Sequence, residues 1–147
     1  MRRSFQAITR SFGVLNKTCC SVDGIDVTAA QSHILYEIDI NDQPTMQQVA
    51  DLLGIDITTF SRQIQTLMKM ELVIKVPSKE DKRASILSLT EKGKRVAQEI
   101  DQQVNSYLER IFSEMTDFER ETTQRAIHYL ASVMTKNSGS CEDKKDC

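Results

Sequence analysis

Apolar positions recur at helical spacing over most of the chain and give way near its middle to two short β-rich runs. Residues 4–20 carry Phe5, Ile8, Phe12, Leu15 and Cys19 in steps of 3, 4, 3 and 4. That heptad-like seam predicts a helix packed against another helix, broken by Ser21-Val-Asp-Gly24. Thr28-x-x-Gln31 has the form of a capping box, in which two side chains satisfy orphan amides at a helix start. It opens a predicted helix to about Ile40, with Ile34, Leu35 and Ile38 among its apolar positions. Asn41-Asp-Gln-Pro44 reads as a turn, because Pro44 disfavours helix in the residue before it.

A second box, Thr45-x-x-Gln48, starts a helix whose Met46, Val49, Ala50 and Leu53 share one face, and Gly54 ends it. Asp56 can cap the next helix, whose inward face is Phe60, Ile64 and Leu67. Residues 72–76 and 85–89 then read as strands, separated by the charged, turn-prone Pro77-Ser-Lys-Glu-Asp-Lys-Arg-Ala84. Two short helices about a tight turn, followed by a hairpin with a basic tip, describe a winged helix-turn-helix. Such a unit usually lays its second helix in a DNA major groove.

After Thr90 the pattern is helical again to about Glu114, with Val96, Ile100, Val104, Tyr107 and Ile111 in one stripe. About 24 residues at a 1.5 Å rise span roughly 36 Å, more than a small domain covers alone. Thr116-x-x-Glu119, a third capping box, starts a last helix to about Thr135. Its buried side is expected to be Phe118, Ala126, Leu130 and Val133. From Lys136 onward the chain is polar and Gly/Ser-rich, the composition of a disordered tail. The fold class expected is mostly α with a small β-hairpin wing (α+β). Residues 1–44 supply N-terminal helices, 45–90 the winged helix-turn-helix, 91–135 C-terminal helices and 136–147 a cysteine-containing tail. The apolar stripes of the terminal helices find too little cover in the winged unit, and a homodimer interface is the simplest sink for them. A monomeric α+β domain with a self-sufficient helical layer is the alternative.

The central block also resembles a family. Leu52-Leu-Gly-Ile-Asp56, Ser61-Arg62, Leu67, Leu72-Val73, Asp81-Lys-Arg83, Leu87-Ser-Leu-Thr90 and Gly93 look like the winged-helix segment of the MarR family of bacterial dimeric transcription regulators. The Asp-x-Arg wing, the Leu-x-Leu-Thr strand end and the Gly three residues on are the specific part, and the motif covers roughly a third of the chain. Glu71 stands where the family usually has Gly, so a left-handed turn is less easily made there and a slightly different helix exit is expected. The resemblance implies dimerisation through the first and last helices.

Composition changes this picture little. In 147 residues, 39% hydrophobic and 27% charged is the balance of an ordinary soluble domain. No apolar run approaches a membrane span and no signal-peptide core opens the chain, so a cytoplasmic protein with reduced cysteines is expected. The net charge of −2 argues mildly against nucleic acid. Its distribution partly answers that, since residues 45–90 carry six Lys/Arg against five acids and residues 91–135 six against eight.

Thr58, Thr59, Arg62, Gln63 and Thr66 lie off the apolar face of the second helix, and Arg62 and Gln63 have the reach and donors to read base edges. The resemblance places base-reading positions around Thr58, Thr59 and Arg62. In the wing, the Arg83 guanidinium suits a narrow minor groove, Asp81 can brace it, and Lys79 and Lys82 would meet phosphates. A solvated polar face and a charged hairpin tip that discourages edge pairing are the bland readings of the same residues. The partners expected are double-stranded DNA, as a pseudo-palindromic operator, and a second copy of the chain, with no membrane. Repression released by an effector is the expected function.

Cys19 and Cys20 are adjacent at the predicted end of the first helix, and Cys141 and Cys147 sit in the tail. Thiolates react with oxidants and bind soft metal or metalloid ions, so closure of the tail onto the vicinal pair would make a sensor. Equally open are inert cysteines with a small organic effector, because the spacing is not that of a zinc ribbon and Cys19 continues the apolar stripe. His33 and His128 are isolated and read as structural or surface residues. No cofactor is required. An enzyme fits poorly, since the chain has no Gly-rich phosphate loop, His-Glu metal motif, nucleophile elbow or C-x-x-C. A winged helix used only for protein contacts stays open as a third class.

Overall fold

Each capping signal in the sequence is used. The structure, a computed structural model, describes residues 2–13, 20–41, 43–77 and 85–137. It runs α1 (Arg2–Gly13), β1 (Cys20–Val22), β2 (Ile25–Val27), α2 (Ala29–Ile40), α3 (Met46–Leu53), α4 (Ile57–Lys69), β3 (Val73–Pro77), β4 (Ser85–Leu89), α5 (Glu91–Ser113) and α6 (Asp117–Asn137). The Thr28 hydroxyl accepts from the Gln31 N–H at 3.3 Å while Gln31 accepts from the Thr28 N–H at 3.0 Å. Thr45 and Gln48 make the same exchange at 3.2 and 2.8 Å, and Thr116 with Glu119 at 3.3 and 2.9 Å. Gly54 ends α3 at φ +61°, the left-handed conformation glycine adopts without a Cβ clash.

Two compact units divide the chain at a point inside α5, Met1–Val104 and Asn105–Cys147. The first holds the core. Phe60, Ile64 and Leu67 of α4 are buried together with Ile34, Leu35 and Ile38 of α2, Val49 and Ala50 of α3, Leu87 and Leu89 of β4, and Val96, Ala97 and Ile100 of α5. β3 and β4 pair antiparallel from Val73↔Leu89 to Pro77↔Ser85. The chain before α3 adds to this sheet, since the Leu87 N–H donates to the Pro44 carbonyl at 2.9 Å and Thr45 bridges Ile86. Two short helices, their tight turn and this hairpin make the winged helix-turn-helix that the apolar pattern predicts.

Three expectations need correction. The first helix ends at Gly13 within the described residues, and Cys20 opens a strand instead of closing that helix. β1 and β2 form a hairpin, with Val22 opposite Ile25 and positive φ at Asp23 (50°) and Gly24 (77°). Its physical reason is the Asp-Gly pair, which takes the left-handed conformations that a two-residue hairpin loop requires. The inward face expected for α6 is also absent from the single chain: Phe118 is 78% exposed and Leu130 45%, Ala126 is exposed and Val133 half-buried. Finally, Glu71 does adopt the left-handed turn, at φ +61°. The exit from α4 is therefore the ordinary one, with the Leu72 N–H donating to Leu67 and the Glu71 N–H to Met68, both at 3.0 Å. Leu67 and Leu72, at either end of that turn, are fully buried, and this contact holds a conformation that costs a non-glycine residue about 1–2 kcal/mol.

Candidate nucleic-acid interface

α4 begins on Asp56, whose carboxylate accepts from the N–H groups of Thr58 and Thr59 at 3.0 and 3.1 Å. That cap fixes the start of the helix, and its buried Phe60, Ile64 and Leu67 fix the rotation. The opposite side is thereby turned out. Thr58, Thr59, Arg62 and Thr66 are exposed and Gln63 is half-buried at the flank. The Thr66 hydroxyl donates to the Arg62 carbonyl at 3.1 Å, so toward a ligand it can only accept. Thr58, Arg62, Gln65 and Lys69 fall at i, i+4, i+7 and i+11, a row directly opposite the buried face, and all four are exposed. Gln65 and Lys69 were not among the residues singled out in the sequence. The signal that finds them is this row, once Phe60, Ile64 and Leu67 are taken as the inward side.

Residues 57–69 carry Arg62 and Lys69 and no acid. Thirteen residues at 1.5 Å each give a rod of about 20 Å with hydrogen-bonding groups along one edge, the dimensions a major groove admits. Of the wing, the strands are described and the tip is not, so Lys79, Asp81, Lys82 and Arg83 lie outside the described residues.

The joint behind α4 is tightly made. Thr90 caps α5 by accepting from the Gly93 N–H at 2.9 Å, and the same hydroxyl donates to the Glu71 carbonyl at 2.7 Å. The Thr90 N–H donates to the Leu72 carbonyl at 3.0 Å. Lys92 Nζ donates to the Met70 carbonyl at 2.9 Å and lies 3.7 Å from the Glu71 carboxylate. A Cβ on Gly93 would overlap the Leu72 carbonyl oxygen, so glycine is needed there for close approach of two backbones.

A sequence model of the MarR family matches residues 25–84, the span from β2 to the residue before β4. Over those residues the chain resembles the MarR family. Its motif residues do structural work visible above: Leu72, Thr90 and Gly93 make the joint, and Leu67, Leu87 and Leu89 are core. The family's members are transcriptional regulators, not enzymes. A curated relative, the HTH-type transcriptional regulator YybA of Bacillus subtilis (strain 168), is 27% identical over 126 residues, 82% of this chain and 84% of that protein. The crystal structure of Streptococcus pneumoniae FabT in complex with DNA is similar with a TM-score of 0.76 at 19% identity, covering 92% of this chain and 97% of that one. That of the Streptomyces coelicolor regulator PcaV in complex with its natural ligand has a TM-score of 0.66 at 21% identity, covering 89% and 88%.

The cysteines separate. Cys20 is 5% exposed in β1, in the same apolar cluster as Val22 and Val27, and burial of this kind makes a thiol a small hydrophobe instead of a reactive thiolate. Cys19, Cys141 and Cys147 lie outside the described residues. Among the described residues no three His, Cys, Asp or Glu are grouped to hold a metal ion, and no helix is long and apolar enough to cross a membrane. His33 is exposed on α2 and His128 exposed on α6.

Proposed function

We propose that this chain is a dimeric, sequence-specific DNA-binding repressor of the MarR type that reads each operator half-site with α4. The observation that carries the reading is the row Thr58, Arg62, Gln65 and Lys69, exposed, free of acids and held at fixed rotation by a capped, core-packed helix. Thr59, Gln63 and Thr66 flank it. Arg83 would enter the adjacent minor groove braced by Asp81, with Lys79 and Lys82 on phosphates. Dimerisation is supported by α6, where Ile127, Leu130 and Met134 recur at steps of 3 and 4 and are 55%, 45% and 52% exposed. A two-fold pair of such helices calls for half-sites about 10 base pairs apart.

For the signal that releases DNA we favour a small organic ligand over thiol chemistry, because the Cys20 thiol is in the core. A cavity of about 270 Å³ opens between α2 and α5, lined by Tyr36, Asp39, Ile40, Ala97 and Asp101 among others. Its apolar wall and two carboxylates suit a compact ligand with hydrogen-bond donors.

The test is selection of duplexes from a random pool, followed by titration of the selected and a scrambled duplex at matched salt. Wild type should prefer the selected duplex. Arg62→Ala should lose about 1–3 kcal/mol of that preference, while Lys79→Ala should weaken both duplexes alike. Equal weakening of the two by Arg62→Ala would mean that α4 docks on backbone and reads nothing.

A further inference from the structure

The carboxyl end of α4 is held from outside itself. A helix leaves its last carbonyls without intrahelical partners, and a left-handed residue just beyond them is the weakest point of its exit. Here that residue is Glu71, at φ +61°, with no glycine to relax the strain. Every carbonyl that flanks it is taken by the start of α5. Met70 accepts from Lys92 Nζ at 2.9 Å, Glu71 from the Thr90 hydroxyl at 2.7 Å and Leu72 from the Thr90 N–H at 3.0 Å. The Lys92 ammonium also stands 3.7 Å from the Glu71 carboxylate, and it lies at the negative end of the α4 dipole, where a cation is favoured. Gly93 brings the two backbones close enough that no side-chain atom fits between them.

We propose that Lys92 is a positioning residue for DNA reading. It does not touch DNA. It clamps the end of α4 to the first turn of α5, so the direction of the reading row from Thr58 to Lys69 is set by a side chain 22 residues further along the chain than the carbonyl it holds. The inference rests on the DNA-binding reading above and adds to it a residue for which no base or phosphate contact is claimed. The chemistry of the clamp is specific. It needs a long cationic side chain with donors, because one group must satisfy a neutral carbonyl and face a carboxylate together. Lys92→Met keeps the stem and removes both functions, whereas Lys92→Arg keeps charge and donors.

The experiment compares wild type, Lys92→Met, Lys92→Arg and Thr90→Ser on a selected duplex and a scrambled one over a range of salt, with amide exchange measured on the free proteins. Lys92→Met should bind the selected duplex about tenfold more weakly and lose most of its preference over the scrambled one. Its log–log salt slope should match wild type, since no phosphate contact has gone. Lys92→Arg and Thr90→Ser should stay within about twofold of wild type. In Lys92→Met the amides of Glu71 and Leu72 should exchange faster without DNA present. Wild-type preference retained in Lys92→Met overturns the proposal, and so does a salt slope reduced by about one with both duplexes weakened alike, the signature of a phosphate contact. Wild type that binds every duplex alike overturns the DNA reading itself, and the proposal with it.

Discussion

Gly93→Ala should destabilise the protein although it adds a better helix former to a helix. Gly93 lies in the first turn of α5, and ordinary propensity would favour alanine there by about 1 kcal/mol. A Cβ at this position would overlap the Leu72 carbonyl oxygen and stand 2.9 Å from the carbonyl carbon. The obstacle is backbone, so no rotamer change relieves it. Leu72 is fully buried and its carbonyl already accepts from Thr90 at 3.0 Å. Relief therefore means moving the entry of β3 away from α5, which overpacks or opens the core at a cost of about 1–3 kcal/mol. It also weakens a hydrogen bond contributing about 1 kcal/mol. With the propensity gain subtracted, roughly 1–3 kcal/mol of stability is lost. Urea unfolding followed by circular dichroism at one protein concentration should show the midpoint falling by on the order of 1 M. Gly54→Ala is the control, because its φ of +61° strains an alanine while nothing lies within 4 Å of the new methyl. It should cost only the left-handed penalty of about 1–2 kcal/mol, partly offset by the smaller entropy that alanine loses on folding. A Gly93→Ala midpoint at or above wild type would refute the close approach.

Three further outcomes are expected. Leu130→Glu should turn a dimer into monomers or insoluble protein and abolish specific binding, since an unpaired carboxylate is strongly unfavourable in an apolar interface; sedimentation showing micromolar wild type already monomeric would remove the dimer. Cys20→Ser puts a hydroxyl at a 5% exposed position and should lower stability by about 1–3 kcal/mol, with an unchanged unfolding midpoint arguing that Cys20 is not core. The hydrogen bonds from the Thr116 backbone N–H and then its hydroxyl hold the Glu119 carboxyl below its ordinary value of 4.5. A depressed acid adds stability that is present above the unfolded value and lost as pH falls through the folded one, so acidification below about 4.5 should loosen the start of α6. Glu119→Gln, which cannot ionise, should abolish that dependence, read as a flat acid response of amide exchange at the start of α6, whereas Thr116→Ala keeps the backbone donor and should only weaken it.

What could be read in advance divides by range of interaction. Capping boxes act over three residues, and each pairing of Thr28, Thr45 and Thr116 with its partner was legible because the groups that bond lie together in the chain. The inward face of α4 was legible for the same reason, since a core stripe repeats every turn. The α6 stripe obeyed the same rule and misled about the single chain: periodicity marks a face that seeks cover and cannot say which molecule provides it. The β1–β2 hairpin escaped because three-residue strands are too short for a period to register, although Asp23-Gly24 between Val22 and Ile25 was a usable turn signal.

Glu71 shows the limit most clearly. Judged by its own residue type it should resist the left-handed turn, and local reasoning predicted an altered exit from α4. The turn forms because its hydrogen-bond partners come from Thr90 and Lys92, about twenty residues away, and because Leu67 and Leu72 are buried on either side of it. Tertiary contacts worth several small increments outweigh one penalty of about 1–2 kcal/mol. A residue that breaks its local preference at the foot of the reading helix thus points to whatever holds it there. In this chain that is the first turn of α5.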